Sequence, residues 1–157
     1  MTKISKFAEA IKTHEGFYPG SRSFRNNNPG NLKYAAQAKA TGRDAAGFAI
    51  FASYVDGWEA LRNQIMLCIN GKSRIYFPTM TITQFFQSYA PSSDNNNPLQ
   101  YAQAVAAEVG ITVDSTMGSL SVENPPAAPA DVTPPALPAI QHLKLVINDQ
   151  ILYERDI

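Results

Sequence analysis

This chain of 157 residues is short of several things that would point to particular chemistries. It has a single cysteine, Cys68, so no internal disulfide can form. Cys68 lies in the apolar run Gln64-Ile65-Met66-Leu67-Cys68-Ile69, where a buried structural thiol is expected. There are two histidines, His14 and His142, far apart and without a neighbouring His or Cys at ligand spacing, so a metal centre is not expected. There is no charge of one sign in excess: 13 basic and 13 acidic side chains cancel. That balance excludes the basic footprint of a nucleic-acid binder and argues against electrostatic attachment to anionic membranes. No apolar run is long enough to span a bilayer. Met1-Thr2-Lys3-Ile4-Ser5-Lys6 leads into an amphipathic pattern rather than an apolar core of the secretory type, so no signal peptide is expected.

What remains is 45% hydrophobic and 17% charged, a composition that suits a single globular domain with a real core. Ile4, Phe7, Ala8 and Ile11 fall on one helical face, and Gly16 is a natural stop. From Tyr18 to Asn31 the chain is rich in Gly, Pro, Ser and Asn and reads as loop and turns. Asn31–Tyr34 and Phe48–Phe51 are expected as two short strands joined by Ala38–Gly47. Asp56-Gly57-Trp58-Glu59 has the form of a capping box with Asp56 as N-cap, followed by Leu61, Ile65, Cys68 and Ile69 at helical spacing up to Asn70-Gly71. Thr81 starts another helix that Pro91 ends. Asn97-Pro98 starts a further one, running through Tyr101, Val105 and Val109 to Gly110. The fold class is therefore α+β and mainly α, with at least four helices and a small hairpin or sheet.

Composition changes after about Ser121. Asn124 to Pro138 holds more than half of the chain's 11 prolines and is expected to be an extended linker. Leu143–Ile147 and Ile151–Tyr153 flank Asn148-Asp149-Gln150 as a small β-hairpin. The expected organisation is a main domain at 1–120, a Pro-rich linker at 121–139 and a C-terminal segment at 140–157. A lone hairpin is marginal in water, so this segment is expected to dock, self-associate or bind a partner.

Glu15 is the leading candidate for chemistry. It continues the stripe of Phe7 and Ile11 at the C-terminal end of the first helix. Desolvation and the negative end of the helix dipole both favour the protonated carboxyl, which can then donate a proton near neutral pH. From position alone, a surface Glu at a frayed helix end is the commoner case.

Its neighbours favour the first reading. Glu15-Gly16 is followed by Ser21-Arg22-Ser23-Phe24-Arg25-Asn26-Asn27-Asn28-Pro29-Gly30-Asn31-Leu32. Then come Gly47-Phe48-Ala49-Ile50-Phe51, Gly57-Trp58-Glu59-Ala60-Leu61, Tyr89-Ala90-Pro91 and Asn95-Asn96-Asn97-Pro98 with Tyr101. In this order the segments resemble a phage and prophage family of lysozyme-like proteins related to the lytic transglycosylases. The resemblance runs from Phe7 to Gly110 and leaves out the linker and the terminal hairpin. It implies a lysozyme-like helical domain and a Glu, matched by Glu15, facing a groove that holds the glycan strands of peptidoglycan. It also implies that this Glu protonates the bond between N-acetylmuramic acid and N-acetylglucosamine, then takes a proton from the muramic C6 hydroxyl as a 1,6-anhydro ring closes. No cofactor is called for. The implied setting is a phage virion or the host cytoplasm with action on the periplasmic wall. The Pro-rich linker and apolar hairpin, for their part, favour attachment of the C-terminal segment to a phage structural protein or to a second copy.

The chain departs from the better-known transglycosylases in lacking a Gly-Leu-Met-Gln segment. Pro29-Gly30-Asn31-Leu32 stands in its place, which makes Asn31 the candidate for orienting substrate. Amides that both donate and accept suit sugars, so Asn28, Asn31 and Asn97 are candidate substrate-binding residues, although each also fits turn or cap chemistry. Tyr34, Tyr89 and Tyr101 can pack on sugar faces, or in the core, with a hydroxyl free to reach Glu15. Trp58 is expected in the core. Hydrolysis in place of transglycosylation, as in a muramidase or glucosaminidase, usually needs a second carboxylate, for which Asp44 and Asp56 are the visible candidates. A non-catalytic virion or wall-binding protein is the alternative of a different class.

Overall fold

The computed structural model describes residues 1–94 and 96–121, and the backbone of 142–147 and 150–156. It is mainly helical with a small antiparallel sheet. Two compact units divide the chain, Met1–Glu123 and Asn124–Ile157.

In the first unit, α1 (Lys3–His14) is capped by the Thr2 hydroxyl and buries Phe7, Ala8, Ala10 and Ile11. Glu15 is its C-cap, and Gly16 turns the chain away at φ +66°. The stretch expected as loop contains one helical turn, α2 (Arg22–Arg25), because the Ser21 hydroxyl accepts from the Phe24 amide and so caps it.

The small sheet pairs β1 (Ala40–Arg43) with β2 (Ala49–Phe51). The expected partner, Asn31–Tyr34, contributes only an isolated bridge from Lys33 to Phe48. Asn31, Ala36 and Lys39 all take positive φ, which breaks any extended run there. The Gln37 side chain bonds the Lys33 carbonyl and the Ala35 amide, closing a local turn instead.

Helix α3 (Tyr54–Ile69) begins earlier than the Asp56 box implied. Ser53 is the N-cap, its hydroxyl accepting from the Asp56 amide, and Asp56 sits at the third helical position with its carboxylate bonded to that hydroxyl. A Ser-x-x-Asp pair thus does the capping, and the acidic side chain still lies in the first turn, where the helix dipole favours it. Helix α4 (Ile82–Tyr89) has a full Thr81/Gln84 capping box, and α5 (Pro98–Val109) starts on Asn97 and ends on Gly110 in the left-handed region.

The core is one cluster drawn from all four long helices. Helix α4 carries aromatic packing across it. Phe85 and Phe86 meet Phe7 at 5.7 and 5.8 Å between ring centroids, and Phe86 stacks on Tyr101 at 4.2 Å. Cys68 is buried within it, and burial pushes its thiol up to about 11. No helix among the described residues is long and apolar enough to cross a membrane.

In the second unit, β3 (His142–Ile147) pairs antiparallel with β4 (Gln150–Asp156). The expected Pro-rich linker, from 122 onward, and the turn Asn148-Asp149 lie outside the described residues.

Candidate active site

Glu15 reaches its place through the α1 stripe. It lies one turn beyond Ile11, whose carbonyl accepts its amide at 2.8 Å, so its side chain leaves the helix on the buried side. The carboxyl is half-buried rather than free in solvent. Burial raises its pKa above the ordinary 4.5; a hydrogen bond from Tyr101 and the nearby Asn31 amide pull weakly the other way. Asn31 does so without a hydrogen bond of normal geometry, so Tyr101 is the firm partner.

The Tyr101 hydroxyl lies 3.0 Å from Oε1 of Glu15 and 3.3 Å from the Ile11 carbonyl. It has one hydrogen and two acceptors. When Glu15 is ionised, that hydrogen serves the carboxylate. When Glu15 is protonated, it can turn to the carbonyl and accept the acid's proton on its own oxygen. Both protonation states therefore find a partner without backbone movement. Burial, chiefly, holds the Tyr101 phenol far above its usual range, so it stays a donor.

Glu15 opens onto a groove of ≈ 960 Å³. Three stretches distant in sequence line it, together with Arg22: Asn31, Leu32, Lys33 and Ala35 with Ala46 and Phe48; Gln64 and Leu67 of α3 with 72–76; and Ser88 to Pro91 with Asn96. Among the described lining residues Glu15 is the single acid.

The candidate binding residues separate. Asn31 lines the groove, and its Oδ1 is buried without a hydrogen-bond donor among the described residues. Tyr89 also lines it, its hydroxyl donating to the Gly30 carbonyl. A Cβ on Gly30 would stand 3.0 Å from that hydroxyl and 2.7 Å from Leu61, so glycine is required for this approach. Tyr101 touches Glu15 from the core side and is not part of the lining.

Asn28 is elsewhere. It is fully buried, donates to the Leu32 and Ala49 carbonyls at 3.0 and 2.9 Å, and accepts from the Leu32 amide at 2.9 Å. All of its close partners are backbone, so it braces the loop that presents Asn31. Asn97 caps α5 through the Gln100 amide, and its neighbour Asn96 lines the groove. Tyr34 is 40% exposed and outside the lining, while Lys33 and Ala35 on either side belong to it. Asn26 and Asn27 are scaffold too, bonding Asp44 and the carbonyls of Phe51 and Ala52.

Neither candidate second carboxylate is available. Asp44 accepts the Ala46 and Phe48 amides at 2.9 Å each and the Asn26 amide at 2.8 Å. These bonds, the Phe48 amide first, hold its carboxyl below the usual range. Asp56 is held low in the same way by Ser53 and Lys39. Trp58 packs against the core edge and stacks on Tyr54 at 6.2 Å between centroids.

Sequence reasoning passed over Gln64, Ser73, Ser88 and Phe48, and the cations Arg22, Lys33, Lys72 and Arg74, all of which line the groove. No local pattern marks them, since each belongs to the site only through the packing of another segment. Comparison with protein-family models, with curated proteins and with solved structures gives no match. The chemistry of the site is therefore read from its own geometry.

Proposed function

We propose that this protein cleaves the bond between N-acetylmuramic acid and N-acetylglucosamine in peptidoglycan glycan strands, as a lytic transglycosylase with Glu15 as its one acid/base, and that its first unit is a lysozyme-like domain. The observation that carries this is a half-buried carboxyl with a raised pKa opening onto a large groove whose described lining contains no second acid.

A protonated Glu15 gives its proton to the glycosidic oxygen, the C1–O bond breaks, and positive charge develops on the muramic ring. The resulting carboxylate, with the Tyr101 hydroxyl donating to it, takes the proton of the C6 hydroxyl as that oxygen bonds C1. The products are a new hydroxyl on the leaving sugar and a 1,6-anhydro ring, with no water consumed and Glu15 protonated again. Asn31, which lines the groove beside Glu15, is the candidate to orient the substrate's acetamido group. Asp44 is committed to its turn and Asp56 to the start of α3, and neither lines the groove, which favours this route over a two-carboxylate hydrolysis. The setting that fits is a phage-encoded enzyme, with the C-terminal segment as its attachment to a virion protein or a second copy.

Mass spectrometry of digested peptidoglycan tests the reading. Fragments ending in 1,6-anhydromuramic acid are expected, and Glu15→Gln abolishes them. New reducing ends in their place would make the enzyme a hydrolase. Wall clearing that survives Glu15→Gln undiminished would show that Glu15 is not the acid/base, and absence of clearing by the natural protein would make the fold non-catalytic.

A further inference from the structure

The whole chain is neutral, yet the groove is not. Arg22, Lys33, Lys72 and Arg74 line it against the single acid Glu15. Elsewhere in the first unit Lys12 pairs with Glu9, and Lys39 with Asp56 and Glu59, while Lys3, Lys6, Arg25, Arg43 and Arg62 stand outside the groove lining without an ion pair among the described residues. Arg22 shares Asp44 at 3.8 Å. Lys33, Lys72 and Arg74 have no carboxylate within ion-pair distance among the described residues.

Two of these cations are gathered deliberately on one ring. Lys33 Nζ lies 3.8 Å from the Phe48 centroid and the Arg22 guanidinium carbon 4.5 Å from it. The negative face of the ring offsets their mutual repulsion. Lys72 and Arg74 flank Ser73 in the segment after α3 and add a second positive pair. On a peptide-bearing strand the lactyl carboxyl of N-acetylmuramic acid is taken up in the amide to the peptide, so the sugars offer only hydroxyl and acetamido groups and the negative charge lies on the peptide. A positive groove on a neutral protein is the arrangement that selects an anionic ligand.

We propose that the groove takes glycan strands still carrying their acidic peptide, and that Arg22, Lys33, Lys72 and Arg74 bind the peptide's carboxylates while Glu15 acts on the sugar. This rests on the peptidoglycan reading above and names the form of the substrate. The cations act in ground-state binding, at a distance from the bond that breaks, so they set KM and leave kcat to Glu15.

The test compares soluble peptide-bearing strands with the same strands after their peptide carboxylates are converted to amides, a change of charge at nearly constant size. The natural protein is expected to show a KM lower on the acidic strands by on the order of tenfold, the combined effect of a few exposed ion pairs. That advantage shrinks as salt rises. The double variant Lys72→Gln/Arg74→Gln, both positions being exposed, is expected to lose most of it, with kcat on the acidic strands little changed. Equal KM on the two forms, or a double variant that keeps the full preference, overturns the proposal. Cleavage of neither form by the natural protein overturns the peptidoglycan reading itself, and the present proposal with it.

Discussion

Replacing Gly57 by alanine tests the packing that holds the site. Gly57 lies in the first turns of α3, where alanine is intrinsically better than glycine by about 1 kcal/mol, so local propensity alone predicts stabilisation. Tertiary packing predicts the reverse. An ideal Cβ there falls 1.8 Å from the Asn27 carbonyl oxygen, 2.9 Å from its carbon and 3.0 Å from Pro29 Cδ. To reach even the closest contact that real Cβ atoms show, 3.0 Å, helix and loop must separate by more than an ångström. Both sides are backbone, and the loop is pinned by the Asn27 and Asn28 amides. Overpacking of this kind costs about 1–3 kcal/mol, and unyielding backbone puts it at the upper end. Net of propensity, the loss is about 2 kcal/mol, a fall in Tm of roughly 6–10 °C for a unit of this size. Because the displaced loop leads into Asn31, turnover should fall as well. Thermal unfolding with Gly42→Ala as control decides it. Gly42 has open space around its Cβ position, so that change should be neutral or stabilise by about 0.4–1 kcal/mol. A Gly57→Ala protein that melts with or above the natural one would refute the close-packing account of the loop.

Three further outcomes follow from the site. Tyr101→Phe removes the donor to the Glu15 carboxylate but keeps the ring on Phe86, so the Glu15 pKa rises further. The alkaline limb of the pH–activity profile should move up, with about 0.5–1.5 kcal/mol of stability lost; a limb that stays put would separate the tyrosine from the acid. The folded state binds the Glu15 proton more tightly than the unfolded chain, so its contribution is complete below the ordinary value of 4.5 and is lost as pH rises through the raised one. Glu15→Gln should accordingly melt above the natural protein at pH 8, the gap closing below about pH 4.5; a variant less stable at every pH would show the carboxylate to be well accommodated after all. Asn28→Ala removes the bonds to the Ala49 carbonyl and the Leu32 amide in the interior and leaves the Leu32 carbonyl with the Ala49 amide alone, so about 2 kcal/mol or more of folding stability should go in denaturant titrations. Unaltered stability with weakened substrate binding would return Asn28 to the groove.

Much of the helical framework is legible in the chain itself, because its signals are local. The stripe of Phe7 and Ile11, the Thr81 and Asn97 caps and the stops at Gly16 and Gly110 act within a turn or two, and each stands where the pattern puts it. Position also places Glu15 at the end of a buried helical face. The small sheet was less legible, since left-handed residues at 31, 36 and 39 displace the first strand to Ala40–Arg43. Chemistry of type was no guide to role among the asparagines. Asn28 and Asn31 are the same amide three residues apart, yet one is saturated by backbone and the other lines the groove with a buried, unpartnered acceptor. The same holds for the carboxylates, where only the fold commits Asp44 to a turn and leaves Glu15 with a tyrosine. Sequence alone thus determined the four long helices and that an acid ends the first of them. The tertiary structure decided which polar groups are spent on the scaffold and which remain for a ligand, because hydrogen-bond partners and burial depend on segments brought together from positions 15 to 96.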